Sequence, residues 1–354
     1  MNRTGGRYYL QYATPATELK TYADGVIVAD GPMGAYRTVM ASPFSFKPTG
    51  FIAGARHGSI FAGADGRLWH VATMTISRRH VYERRLGLFP ATITGAGDLI
   101  ADTYLGDYPH RIDGDRGPTG WMLLSRHADA TASSSRPGFE PAKATDEDVR
   151  TSWAAESGRD DEWLRLDLGA VKTVEAVQIN FADDGARVGA GGDPAYRYVL
   201  DVSRDGVAWT KVIDHRTSLT DHSHDYEVLP RSSPARYVRV RNVASPNGSR
   251  FSIYDLRVFG RFGPFSRPVA GVTAVRDPKN ARWAKIRWNT TPGAEFYVVR
   301  LGPTVATMSQ KYQIYDGATA AAVGSLNAGV DYLVAVDAVS QGGIARGPVI
   351  RLRN

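Results

Sequence analysis

The chain has no cysteine among its 354 residues, which excludes disulfides, thiol nucleophiles and zinc–thiolate sites together. No run approaches the roughly 18 consecutive apolar residues that a membrane-spanning helix requires. The first residues, Met1-Asn2-Arg3-Thr4-Gly5-Gly6-Arg7, lack the apolar stretch of a signal peptide. An excess of one charge is also missing: 43 Lys and Arg stand against 36 Asp and Glu, a net +7. The basic residues occur singly or in pairs such as Arg78-Arg79 and Arg84-Arg85, so no nucleic-acid partner is expected. The 37 Gly and 19 Pro are spread without period, which excludes collagen and low-complexity disorder.

What is there is alternation. Short segments rich in Tyr, Val, Ile, Trp and Phe recur at 7–13, 24–30, 57–63, 67–74 and 80–89. They continue at 163–168, 174–181, 196–203, 236–243 and 253–259. Apolar residues at a period of two, bounded by Gly, Asp, Asn and Pro, read as strands. Turns such as Gly63-Ala64-Asp65-Gly66 carry hairpin chemistry. No long amphipathic helix is indicated, so the fold class is all-β. Polar, Gly- and Pro-rich stretches near 112–119 and 260–268 mark two boundaries, leaving segments 1–112, 125–261 and 268–354 without a strong internal repeat.

In the middle segment, Asp146, Asp148 and Thr151 place oxygen ligands at nearby positions of a tight loop, which suits a hard cation; the alternative is that these acids cap turns and face solvent. Six ordered motifs run through 125–261: Ala130–Ser135; Ala144-Thr145-Asp146-Glu147-Asp148-Val149-Arg150-Thr151-Ser152-Trp153; Trp163-Leu164-Arg165-Leu166-Asp167-Leu168-Gly169; Val202–Trp209; Ala235–Arg241; and Ile253–Gly260. This segment resembles a discoidin domain (coagulation factor V/VIII type C), a β-sandwich used widely as a family 32 carbohydrate-binding module. The resemblance implies a structural Ca2+ held by Ala144, Asp146, Asp148 and Thr151 and completed by Asp255 in the last strand. It also exposes a departure, because the family often has Gly where this chain has Glu147, so the loop is expected to bend differently. Sugar contacts in such modules come from loops at one end, an aromatic face for the ring and planar polar groups for its hydroxyls. The candidates are Phe139, Arg159, His215, Asn247, Arg250 and Phe251, while Trp153, Trp163 and Trp209 are expected in the core.

Residues 268–354 resemble a fibronectin type III module, an immunoglobulin-like sandwich. Its marks are Pro268–Ala274, Ala284-Lys285-Ile286-Arg287-Trp288-Asn289 with a core Trp288, Phe296–Arg300, and the corner Leu326–Tyr332. No acid, base or nucleophile cluster appears there, and a rigid spacer is expected.

In residues 1–112, Tyr8–Ala13, Tyr22–Asp30, Ala55-Arg56-His57-Gly58-Ser59-Ile60-Phe61, Trp69–Met74, Tyr82–Pro90 and Asp102–His110 follow the order seen in glycoside hydrolase family 43. That resemblance implies a five-bladed β-propeller of which only the late blades are present, since five blades need about twenty strands. The family inverts with a carboxylate base and a carboxylic acid held apart to admit water, and its general acid would fall just upstream of Met1. None of Glu18, Asp24, Asp30, Asp65, Glu83, Asp98, Asp102 and Asp107 maps to a catalytic carboxylate, so no catalytic residue is expected in this chain. The resemblance places His57 in the central channel, near a second metal, with Gln11 and Arg85 lining it. The chain is thus expected to be the C-terminal part of a polysaccharide-degrading hydrolase, secreted or periplasmic in its full-length form and inactive as it stands. Its partner would be a plant or microbial polysaccharide or oligosaccharide. The alternative is a non-catalytic carbohydrate-binding or adhesion protein. An open propeller fragment would also expose strand edges that invite aggregation.

Overall fold

Residues 1–16, 19–75, 84–187 and 192–354 are described in the computed structural model of the chain. Strands and turns make up nearly all of it, with three 3-10 turns of three or four residues and no α-helix among the described residues. The all-β expectation is met. Among the described residues, no helix is long and apolar enough to cross a membrane. Glu18 and Glu83, and the start of the stretch 82–90, lie outside the described residues.

The chain divides into two compact units, Gly120–Pro264 and a second made of Met1–Thr119 with Phe265–Asn354. Both divisions fall in or beside the polar, Gly- and Pro-rich stretches that the sequence marks as boundaries.

The middle unit is organised by two long strands, Trp163–Phe181 and His224–Ala244, which pair antiparallel. The first buries alternate residues over Leu164, Leu166 and Leu168, then passes Gly169 at φ 81° and buries alternate residues again from Lys172. Register shifts between Asp167 and Lys172 and between Val174 and Ala176 mark the bend. Bulged and Gly-interrupted strands bend in this way, so the two halves of one strand face a common core. That core holds Trp153, Leu164, Leu166, Val177, Ile179, Phe181, Tyr198, Val238, Val240, Phe251 and Leu256. Strands Arg197–Ser203, Thr210–Asp214 and Ser252–Arg261, with the short Met122–Leu123, Asp129–Ala132 and Trp153–Ala154, complete the eight-stranded sheet. Of the three tryptophans expected inside, only Trp153 is buried; Trp163 and Trp209 are half-buried, each with a guanidinium over the ring, Arg165 at 5.8 Å and Arg239 at 4.0 Å.

In the other unit, residues 1–119 form two four-stranded antiparallel sheets in sequential order. The first is Asn2–Thr4, Arg7–Thr14, Ala23–Ala29 and Arg37–Thr38; the second is Ala53–Ala62, Leu68–Thr75, Arg84–Ile93 and Leu99–Ala101. Tyr9, Val26, Val28, Phe44, Ile60, Met74 and Phe89 share one core between them. The turn after Ala62 closes as expected, with Gly66 at φ 74°. Residues 265–354 build a three-stranded sheet (Thr273–Arg276, Ala284–Arg287, Ala320–Val323) and a five-stranded one (Phe296–Gly302, Gln310–Ile314, Tyr332–Ser340, Gly343–Ala345, Val349–Leu352). Trp288 is buried between them. The buried Tyr332 hydroxyl accepts the backbone N–H of Asn327 at 3.0 Å, forming the expected corner.

The expected spacer role is corrected here. The core around Trp288 extends to Ala23 and Phe46 of the N-terminal segment, and Phe46 forms a parallel bridge with Gln310. The Tyr104 hydroxyl donates to Asp337 Oδ2 at 2.9 Å. The buried Lys47 ammonium lies 3.2 Å from Asp107 and also donates to Gln313. Apart from Lys47–Asp107, these contacts join polypeptide more than two hundred residues apart, which local sequence pattern does not encode.

Candidate functional site

The loops at one end of the middle unit are laced together by backbone bonds. Arg136 N–H donates to the Ala154 carbonyl, Ala155 N–H to Phe251, Arg250 N–H to Asp184 at 2.8 Å, Arg187 N–H to Asn247 and Asn247 N–H to Asp193. Upon this frame Asp184 accepts from two guanidinium groups, Arg136 Nη1 at 2.5 Å and Arg250 Nη1 at 3.4 Å. The Arg136 guanidinium also lies 4.4 Å from the centroid of the half-buried Phe139 ring. Arg136, Asp184 and Arg250 are 33%, 19% and 41% exposed in their side chains, so they are held yet open to solvent. An acceptor, two planar donors and an aromatic edge in one place can satisfy several hydroxyls at once.

Of the sequence candidates, Phe139 and Arg250 lie in this cluster; Arg136 and Asp184, in the stretches Ser135-Arg136-Pro137 and Asp183-Asp184-Gly185, were not among them. A turn acid beside a Gly was the available signal. Asn247 adopts φ 53° in the adjoining loop. Arg159 is exposed and pairs with Asp161 at 3.1 Å. Phe251 is a correction: it is 1% exposed and packs edge-on against Trp153 at 5.4 Å. An aromatic in a loop motif reads as a surface platform, but here the neighbouring strand carries it into the core. His215 lies in a different cluster, 2.9 Å from Glu227 and stacked at 5.0 Å on His222.

The loop 144–151 presents a second constellation. Asp255 is 1% exposed and neither carboxylate oxygen has a hydrogen-bond partner among the described residues. Burial, with the nearby charges of Glu147, Asp146 and Asp148 adding to it, pushes its carboxyl well above the usual range. The Asp146 carboxylate accepts from the Asp148 N–H and the Thr151 hydroxyl, at 2.9 and 2.7 Å. Asp148 turns its own carboxylate to Arg150. Ala144 is buried at the end of the 3-10 turn Pro141–Ala144. Glu147 takes φ 59°, the left-handed region that Gly would favour, so the loop bends as a Gly would bend it, contrary to the expectation. Its carboxylate is held by both ends of the Arg257 guanidinium, at 2.9 and 3.0 Å.

In the other unit, His57 is exposed at φ 47°, and its backbone N–H donates to the buried Asp24 at 2.7 Å. Gln11 is half-buried and donates to Asn2 at 2.7 Å. Arg85, also half-buried, donates to the Arg84 carbonyl. The three sit on strands Ala53–Ala62, Arg7–Thr14 and Arg84–Ile93, distributed over both four-stranded sheets.

Residues 129–255 match the family model described as the F5/8 type C domain. This segment carries an F5/8 type C domain. Rat lactadherin (Rattus norvegicus) is 33% identical over 95 residues, which take in 25% of this chain and 21% of that protein. The chain therefore spans about a fifth of the length of that curated relative. Among solved structures, chitosan-binding module 1 of a chitosanase/glucanase from Paenibacillus sp. IK-5 is 30% identical, covering 39% of this chain and 99% of that module at a TM-score of 0.33. The family 32 carbohydrate-binding module of C. perfringens NanJ, solved with galactose, is 17% identical over 39% of this chain and 98% of that one, at a TM-score of 0.33.

Proposed function

We propose that the F5/8 type C domain of this chain binds a glycan through the loop end built on Arg136, Phe139, Asp184 and Arg250. The observation that carries the reading is the solvent-open Asp184 carboxylate shared by two guanidinium groups beside an aromatic ring. Sugar hydroxyls pair with both signs of polar group, and a sugar's C–H groups pack against the aromatic ring. Arg159 and Asn247 would extend this surface. Titration of the chain with soluble plant and microbial polysaccharides is expected to show binding that Asp184→Ala weakens about tenfold or more. Binding to no glycan, or binding indifferent to Asp184→Ala and Arg250→Ala, would refute the assignment.

Calcium fits the loop 144–151. A buried carboxylate with both oxygens unpartnered, facing three further acids, is costly unless a cation neutralises it. Asp255, Asp146, Thr151 and the Ala144 carbonyl would hold it, and the ion would supply structural charge balance. Calcium is expected to raise the melting temperature of the chain, and Asp255→Asn to abolish that rise while stabilising the calcium-free protein. Equal calcium response in wild type and Asp255→Asn would remove the site.

A glycoside hydrolase ancestry for residues 1–112 rests on the motif order, and the two sequential four-stranded antiparallel sheets agree with propeller blades. No turnover of an aryl arabinoside or xyloside is expected from this chain.

A further inference from the structure

We propose that the F5/8 type C domain carries a second, chemically different cation site that takes Zn2+ through His215, His222, Asp225 and Glu227. The residues come together where the strand Thr210–Asp214 ends and the strand His224–Ala244 begins. His215 Nε2 lies 2.9 Å from Glu227 Oε1 and 3.8 Å from Asp225 Oδ2, and His222 Nδ1 lies 3.4 Å from Asp225 Oδ2. Ligating atoms of His215, Asp225 and Glu227 all fall within 4.8 Å of one another.

Those separations have a meaning. With zinc–ligand bonds of about 2.1 Å, the edge of a tetrahedron is about 3.4 Å. The three measured distances straddle that edge; His215, Asp225 and Glu227 already cluster, whereas His222 is placed by its contact with Asp225 alone, so its ring turns in to complete the set when the ion enters. Two imidazoles and two carboxylates form an N2O2 set whose two negative charges balance a divalent ion. Imidazole nitrogen selects this ion class over the oxygen-seeking Ca2+, so the site does not duplicate the loop 144–151.

Support from the surrounding groups is already in place. Asp225 is 8% exposed in its side chain and its Oδ2 accepts from the buried Tyr198 hydroxyl at 2.6 Å. That bond fixes the carboxylate while leaving it a further lone pair, as outer-shell partners of metal ligands do. The His215 backbone N–H donates to the Tyr198 carbonyl at 2.9 Å, tying both residues to one strand. His215 and His222 stack at 5.0 Å with their planes 29° apart, which keeps the two rings adjacent. The His and Glu side chains are 23%, 25% and 33% exposed, leaving a path for the ion.

The test is calorimetric titration of the untagged full chain with ZnCl2 in excess Ca2+, so that the calcium loop is saturated. One Zn2+ per chain is expected. His222→Ala and Glu227→Gln should each weaken it about tenfold or more, and Tyr198→Phe, which only positions Asp225, about tenfold. The exposed His127→Ala should leave it unchanged. Cobalt added in place of zinc should give the intense visible bands of a four-coordinate ion, lost in His222→Ala. Should His222→Ala fail to fold, His222→Gln, which keeps the volume, carries the same expectation. No uptake at about 100 µM Zn2+, uptake indifferent to His222 and Glu227, or a six-coordinate cobalt spectrum would each overturn the site.

Discussion

Glu147 occupies a backbone conformation that an L-residue adopts at some cost, yet replacing it with Gly is not expected to help. Its carboxylate holds Arg257, whose side chain is 2% exposed, through two hydrogen bonds. Relief of the left-handed φ is worth about 1 kcal/mol, whereas removing one partner of a buried ion pair costs about 3 kcal/mol or more. Glu147→Gly should therefore lower the unfolding free energy of the middle unit by roughly 2 kcal/mol, measurable by denaturant titration; a gain in stability would show that the pair contributes nothing. A second residue-scale consequence concerns Asp24 and His70, 3.5 Å apart and buried. Burial, opposed by the His57 and Gly58 N–H groups, raises the Asp24 carboxyl to about 6, and burial lowers the His70 ring to about 4. Unfolded, the same groups titrate near 3.8 and 6.5. Between these values the folded state holds the extra proton at Asp24, so that contribution falls as pH rises towards 6. At His70 the unfolded state holds the extra proton, so that contribution rises with pH over nearly the same window. The slopes oppose one another and leave the wild type nearly flat from about pH 4 to 6. His70→Phe, which fits against Phe44 and Phe89, should unmask a melting temperature that falls as pH rises to about 6; a flat profile in that variant would refute the assignment.

At the scale of elements, the corner at Tyr332 shows what sequence alone makes readable. The order Leu326 to Tyr332 points to a core-edge tyrosine before a late strand, and the structure adds that its hydroxyl accepts the Asn327 N–H. Tyr332→Phe is expected to cost about 1 kcal/mol, since the Asn327 N–H loses its acceptor while the ring stays in the core. An unchanged denaturation midpoint would mean that water replaces the hydroxyl at no cost. Strand positions in the middle unit were legible for the same reason, because alternate burial writes itself into composition along Trp163–Phe181. In the loop 144–151, the bonding of Asp146 to Thr151 and the burial of Asp255 involve residues that the sequence motif singles out. Phe251 was not, because whether a loop aromatic faces out or in depends on the strand beside it. Nor were Arg136 and Asp184, which gain significance only when two loops distant in sequence meet. Of the His215–Glu227 cluster only His215 was singled out, and as a sugar contact; Asp225 and Glu227 sit two apart on a strand whose register with Trp163–Phe181 composition does not reveal.

For the whole molecule, the pairing of Met1–Thr119 with Phe265–Asn354 was the least legible feature, since each segment reads as a module in its own right. Deleting Phe265–Asn354 should leave Gly120–Pro264 folded and deprive Ala23, Phe46 and Tyr104 of their cover. Limited proteolysis of that deletion is expected to spare the middle unit and degrade residues 1–119; a resistant N-terminal segment would show that it needs no partner. The bonds from Lys47 to Gln313 and from Tyr104 to Asp337 span 266 and 233 residues, and this has a consequence in time. A ribosome delivers the chain from its N-terminus, so Phe46 and Lys47 emerge long before Gln310 and Gln313 exist. The middle unit is complete and able to fold while the first is still half made. Residues 1–119 can thus close their own core early, while the cover over Ala23, Phe46 and Tyr104 arrives only with Phe265–Asn354.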